Sequence, residues 1–376
     1  MMRSRADLAE VLMMVNRRQF VHATALGTIG ATLSHVDPAW CQSQSWHERL
    51  PKVELHLHLD GALPKPTLWE LLTKYGGDPA IKSREDLERA FVYSDFRGFL
   101  RTYVWMMGYV REYDDWTLIG EAVARDLTRQ NIRYVEAFFS PPDYRRSKLD
   151  PQRATEALRT GLNRVTTIEV ALVPDLVRDR GVEHANNMLE RMGDVKKLGV
   201  IGIGIGGFEP AFPPELFEAT YERARALGLR TTAHAGEAAG PASVWGAVRA
   251  LRVDRIGHAT RAIEDPELVK ELAARRIPLE LCPLSNVRTG VIKSIEAHPL
   301  RQYFDAGIPV TLNTDDPLFF GNSLAMEFES AQRVHRFTAD EIRQLILSSV
   351  EATWLTVDRK KALAAEFQRT PSWQNQ

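Results

Sequence analysis

Along most of the chain a short β-branched run is followed by a longer stretch with apolar residues at helical spacing. The runs that read as strands are 52–59, 132–140, 168–176, 200–207, 230–237, 255–259, 278–286 and 309–316. Between them, 121–130, 214–227, 241–251, 266–275 and 299–306 read as helices. Several open on proline, which costs nothing in a first helical turn, and several close on glycine, as at Leu227-Gly228 and Ala306-Gly307. Strands alternating with helices, with no tight hairpins, predict parallel pairing through right-handed crossovers. A doubly wound sheet and a barrel both satisfy that rhythm. The polar residues favour the barrel, because His56/His58, His234/Glu237, His258 and Asp315/Asp316 all fall at strand ends. Only a closed (β/α)8 barrel brings the first and eighth strands together so that these groups converge.

The first connection, Gly61 to Asn131, is far longer than one crossover needs and predicts a helical insertion after the first strand. Within it Phe96, Phe99, Leu100, Tyr103, Val104 and Met107 recur at helical spacing. Packing of that face on the barrel is the expected role; lining an apolar pocket above the mouth is the other. The barrel is expected over residues 46–357, with 358–376 as the end of a C-terminal helix and a tail.

Composition narrows the chemistry. Of 376 residues, 48 are Lys or Arg and 49 Asp or Glu, with no dense basic run, so nothing would neutralise a nucleic acid backbone. Only two cysteines occur, so any metal must be held by histidines and carboxylates. No apolar run is long enough to span a bilayer, and no stable membrane association is expected. Residues 1–45 read as an N-terminal extension. Asn16-Arg17-Arg18-Gln19-Phe20 before the Gly/Ala/Thr-rich stretch Val21–Leu33 resembles a twin-arginine export signal, and His22 fits that pattern poorly. Periplasmic export and a cytoplasmic protein with an unused extension are both expectations here.

His56 and His58, two residues apart on a strand, point to one face. On an inner barrel face two imidazoles would cost stability unless paired or metal-bound. With His234 and Asp315 at the ends of two other strands they make a three-imidazole, one-carboxylate set suited to one zinc ion, which brings the pKa of a water towards neutrality. Glu237, three residues after His234, is placed to carry a proton between water and substrate; capping or a salt bridge is its bland alternative. His258 could orient or deprotonate the water, although a lone histidine is more often structural. Asp315 and Asp316 side by side repel each other, which structural duty alone explains poorly: one can ligate while the other faces a substrate.

Pro51 to Gly61 (Pro-Lys-Val-Glu-Leu-His-Leu-His-Leu-Asp-Gly), His234-Ala235-Gly236-Glu237, Gly257-His258, Cys282-Pro283-Leu284-Ser285-Asn286 and Thr311 to Pro317 closely resemble the adenosine deaminase family of the amidohydrolase superfamily, in family order. The resemblance implies zinc on His56, His58, His234 and Asp315, with Glu237 protonating purine N1 and His258 activating or orienting the water. It further implies that Asp316 bonds N7, that the Gly207 N–H reaches N3, and that Asp60 binds a ribose 5′-hydroxyl, with His58 also against the substrate. The implied reaction is zinc-dependent deamination at C6 of a small purine nucleoside, adenosine or 2′-deoxyadenosine. Adenine or aminodeoxyfutalosine is the first alternative, although relatives acting on the free base carry Glu where this chain has Asp60. The second is an inactive binding relative, which would have lost an acid–base group. Two departures lie at the fourth strand, Gly202 to Glu209, where typical members have Asp-Leu-Ala-Gly, and at Ala259, where they have glycine. The fourth strand offers no lysine or carboxylate before Glu209, which points to one metal rather than two.

Overall fold

Alternation shapes the first strand, β1 (Lys52–His58). Val53, Leu55 and Leu57 point outward, towards helices that include Ala339–Ala352, while Lys52, Glu54, His56 and His58 turn inward and lie almost wholly buried. The computed structural model describes residues 44–93, 96–142 and 147–375, so the twin-arginine-like segment lies outside the described residues. Seven further strands follow: β2 (Ile132–Phe139), β3 (Glu169–Pro174), β4 (Gly202–Ile203), β5 (Arg230–Ala235), β6 (Arg255–His258), β7 (Leu279–Leu281) and β8 (Val310–Leu312). All pair in parallel, in the orders β1-β2-β3 and β4-β5-β6-β7-β8.

Two seams remain between these sheets, and parallel bridges close both. Leu172 pairs with Val200 and Asp175 with Gly204 on one side; Leu57 pairs with Asp315 on the other. At the second seam His58 N–H donates to the Asp315 carbonyl (2.9 Å) and Asp315 N–H to that of His56 (3.0 Å). The molecule is the expected (β/α)8 barrel, and its closing bond runs through the candidate ligands.

Several strands are shorter than their apolar runs. β7 stops at Leu281 because Pro283 opens a helix, Pro283–Arg288, within what the sequence reads as strand. β8 stops at Leu312 because side chains take over the pairing: Asn313 Oδ1 accepts from Leu55 N (2.8 Å) and His56 N (3.1 Å), and Glu54 Oε1 accepts from Thr314 N (2.7 Å). β4 keeps two residues because the Gly206 N–H turns to the Asp175 carboxylate (2.6 Å) instead of a neighbouring strand.

The barrel foot is polar, contrary to the apolar interior that the fold suggests. Arg255, 1% exposed, binds Glu280 (2.6 Å) and Glu136 (2.6 Å), and Trp354 stacks on its guanidinium. Trp354 N–H in turn donates to Glu136 (2.5 Å), so the turn after helix Ala339–Ala352 plugs the foot. Outside it the described ends meet, Trp46 Nε1 donating to the Ser372 carbonyl (2.8 Å) beyond helix Val357–Gln368.

The insertion supplies helices Lys65–Lys74, Arg84–Ala90 and Phe96–Met107 before the crossover helix Tyr113–Arg129, which is longer than its sequence signature. The Phe96 side chain lies outside the described residues. Phe99 packs on Phe319 and Phe320, while Leu100 and Val104 are exposed. The expected stripe is therefore only half covered; Tyr103 packs with Phe99 on Phe319 and extends its hydroxyl to the barrel mouth. No helix among the described residues is long and apolar enough to cross a membrane.

Candidate metal and catalytic site

At the C-terminal mouth of the barrel the strand ends deliver their polar groups to one point. His56 Nε2 lies 3.1 Å from His234 Nε2 and 3.5 Å from Asp315 Oδ1. His58 Nε2 lies 3.3 Å from each of the same two atoms. The His258 ring packs edge-on to His56 with centroids 4.7 Å apart, and its Nε2 lies 3.7 Å from Glu237 Oε2. Donor atoms of His56, His234, His258 and Asp315 all fall within 4.8 Å of one another, as do those of His58, Asp315 and Asp316. His258 (φ +61°) and Asp315 (φ +67°) adopt the left-handed conformation, which costs a non-glycine residue about 1–2 kcal/mol. The seam bonds to β1 hold Asp315 there.

The electrostatics call for a cation. Burial works against charge on His56, yet Asp315 and Glu280 take its pKa up to about 9. For His58, Asp316 and Asp315 overcome burial and take it up to about 10. Burial, reinforced by the neighbouring imidazoles, pushes His234 well down. Asp315 is held well below the carboxylate range, its bonds to His56 and His58 overturning the effect of burial. His56 and His58 Nε2 each lie 3.1–3.5 Å from His234 Nε2 and Asp315 Oδ1, a donor set that fits a metal ion taken up as His56 and His58 release their protons.

A ring of buried partners stands behind these groups, and two of them, Ser285 and Asn286, belong to the Cys282 to Asn286 motif. His56 Nδ1 donates to Glu280 Oε2 (2.9 Å), which leaves the Nε2 lone pair facing the centre. Burial would protonate Glu280, but the Arg255 charge and the His56 bond hold its pKa below the usual value. Ser285 Oγ donates to Asp315 Oδ2 (2.6 Å), and Arg178 donates to the His234 carbonyl (2.6 Å). Asn286 Nδ2 donates to His258 Nδ1 (3.1 Å), while its Oδ1 accepts from Thr260 (2.8 Å). Glu280 had one sequence signal, a charged residue between the leucines of an inner strand; Arg178 had none.

Around the mouth stand the remaining sequence candidates. Asp60 is 1% exposed; one carboxylate oxygen accepts from the Tyr103 hydroxyl and the other has no partner among the described residues. Asp316 lies against the Gly61 backbone so closely that a Cβ at Gly61 would sit 1.7 Å from its Oδ1. Burial raises its carboxyl well above the usual range, with Asp315 and Asp60 adding repulsion against the pull of His58. Gly207 (φ +101°) is exposed at the rim, where a Cβ would meet Asp179 Oδ2 at 1.9 Å. Glu237 is raised to about 8, by burial first and then by Asp315 and Glu209. The fourth-strand departure is filled: a Cβ at Gly204 would strike Phe138 at 2.4 Å, and Phe138 packs on the rings of His56, His58 and His234. Ala259 is fully buried behind the Gly236 turn, its carbonyl accepting from Tyr303 (2.8 Å).

Comparison with known proteins agrees with this geometry. The family model described as adenosine deaminase matches residues 51–370. The chain is 34% identical to an aminodeoxyfutalosine deaminase of Streptomyces avermitilis, over 86% of this chain and 92% of that protein. It is 33% identical to an adenine deaminase of Streptomyces coelicolor, over 83% of this chain and 92% of that protein. Among solved structures, an amidohydrolase with bound zinc from Burkhoderia ambifaria superposes with a TM-score of 0.79 at 30% identity, covering 88% of this chain and 95% of that one. With motif order, barrel and ligand cluster all in agreement, the chain belongs to the adenosine deaminase family of the amidohydrolase superfamily.

Proposed function

We propose that this protein is a zinc-dependent hydrolase that replaces the 6-amino group of an N9-substituted aminopurine with oxygen, releasing ammonia. The observation that carries the reading is the convergence of His56, His58, His234 and Asp315 beside Glu237, His258 and Asp316. Those four residues would hold the metal, and zinc is favoured by the nitrogen-rich donor set and by the zinc in the related amidohydrolase. When bound, zinc supplies the Lewis acidity that lowers the pKa of a water towards neutrality.

Glu237, whose raised pKa keeps it protonated near neutral pH, donates to ring nitrogen N1, so that electrons displaced by attack at C6 have somewhere to go. His258 is pushed down to about 3 by burial, against the pull of Asp315, and is therefore neutral. Because its Nδ1 accepts from Asn286, its proton sits on Nε2, which supports orienting the water over abstracting its proton. A protonated Asp316 can donate to N7, and the Gly207 N–H can meet N3. Glu237, ionised by that donation, takes a proton from the attacking water and passes it to the departing nitrogen, so the C6–O bond forms, the C6–N bond breaks and ammonia leaves.

The substrate is read more broadly than adenosine, because the relatives described above are named for aminodeoxyfutalosine and adenine. Asp60 supports a substituted purine: a substrate hydroxyl would donate to its carboxylate oxygen that has no partner among the described residues, although the ring N–H of free adenine could also do so. Free adenine is the second reading, supported by the adenine deaminase relatives. Ammonia release by zinc-loaded protein, measured with aminodeoxyfutalosine, adenosine, 2′-deoxyadenosine and adenine, tests it. Turnover of adenine alone would overturn the N9-substituted reading, and release from none of the four would overturn the activity. Glu237→Gln should keep zinc and lose about 10²–10⁴-fold in kcat; wild-type turnover would remove Glu237 from the mechanism.

A further inference from the structure

Glu237 sits on a turn that another carboxylate holds. Glu209, in the segment after β4, is 3% exposed, and its two oxygens collect consecutive backbone donors of the β5 loop. Oε1 accepts from Gly236 N–H (2.5 Å); Oε2 accepts from those of Glu237 (3.1 Å), Ala238 (2.8 Å) and Ala239 (2.9 Å). Successive N–H groups converging on one anion form a nest, and bonds to a charged acceptor are about twice as strong as neutral ones. A hydroxyl or an amide could not replace it, because neither offers two acceptor oxygens on one planar group.

The neighbouring loops fix Glu209 itself. Asp175 Oδ1 accepts from Gly206 N–H (2.6 Å) and Asp179 Oδ2 from Phe208 N–H (2.8 Å), so the loop after β3 holds the loop after β4. Glu209 then holds the loop after β5, which carries Glu237 just beyond His234 at the strand end. His234 has its own backbone anchor in Arg178, so the Glu209 contacts bear on the turn beyond it.

We propose that Glu209 is a positioning residue for proton delivery: it fixes the backbone of the turn 236–239 and thereby the reach of the Glu237 carboxyl. The inference rests on the reading of Glu237 as proton donor. Glu209→Gln keeps one acceptor and turns an amide NH2 towards N–H donors, which opens the turn without emptying the site. The expected result is a kcat loss on the order of 100-fold, the scale of a 1 Å misplacement. Little change in KM, retained zinc and faster amide hydrogen exchange at 236–239 accompany it. Glu209→Asp, which keeps the charge but shortens its reach, should give an intermediate loss and serves if the glutamine variant does not fold. Wild-type kcat with only a lowered unfolding temperature would make Glu209 a structural cap and overturn the proposal. Loss of zinc would also overturn it, because Glu209 would then be placing His234. Should Glu237→Gln keep full turnover, the proton-donor reading falls by itself; unchanged exchange at 236–239 in Glu209→Gln defeats the positioning role alone.

Discussion

At the scale of single residues, buried partners decide which ring nitrogen of His56 and of His258 carries a proton. Glu280 is the sharpest case. It accepts the Nδ1 proton of His56 in a hydrogen bond and is kept ionised by Arg255, so that with Nε2 deprotonated His56 would present its lone pair to a metal. Glu280→Gln should weaken zinc binding about 10–100-fold, as read by competition with a chelator, since partners behind a metal ligand contribute on that scale. Unchanged affinity would show that His56 holds its orientation without help. Protonation of Glu237 gives a second expectation. Burial, Asp315 and Glu209 raise its pKa to about 8, so the donor form prevails below that value. The kcat should therefore fall as pH rises through that region, and a profile flat to higher pH would argue against Glu237 as the acid. His56, His58, Glu237 and Asp316 were legible in the sequence because strand alternation and adjacency mark them. Glu280 takes its role from a partner 224 residues away, which no local pattern reports; Asn286 lies in a quoted motif, but its bond to His258, 28 residues away, is visible only in the fold.

Among elements, the crossover helix Tyr113–Arg129 and the helix Pro151–Leu162 meet backbone to backbone. A Cβ at Gly161 would lie 2.0 Å from the Thr117 carbonyl oxygen, and one at Gly120 would lie 2.5 Å from that of Leu158. In an isolated helix Gly161→Ala would gain up to about 1 kcal/mol in propensity. Here it should destabilise the protein by about 1–3 kcal/mol, because the helices must part. A lower melting temperature checks this; a higher one would show that the contact yields. The same competition shortens β4, β7 and β8. Their apolar runs are longer than the strands because proline or a side-chain carboxylate or amide claims the backbone donors first.

For the whole molecule, the barrel is closed by polar bonds at both ends. At the mouth the seam between β8 and β1 runs through Asp315, and at the foot Arg255 ties β6 to β2, β7 and the turn at Trp354. Removing one member of a buried ion network leaves the others uncompensated. Arg255→Met should therefore cost about 3–5 kcal/mol in urea unfolding. A loss below about 1 kcal/mol, the range of an exposed pair, would mean that water reaches the foot.

By itself the sequence determined the eight-strand rhythm, the long first connection, the candidate ligand set and the family, because period, spacing and motif order are properties of the chain. Tertiary structure alone decided that the barrel interior is polar, that the Tyr103 hydroxyl meets Asp60, that Phe138 fills the space left by Gly204, and that Glu209 holds the Glu237 turn. Those contacts join segments far apart in the chain, and closure of the barrel is what makes them neighbours.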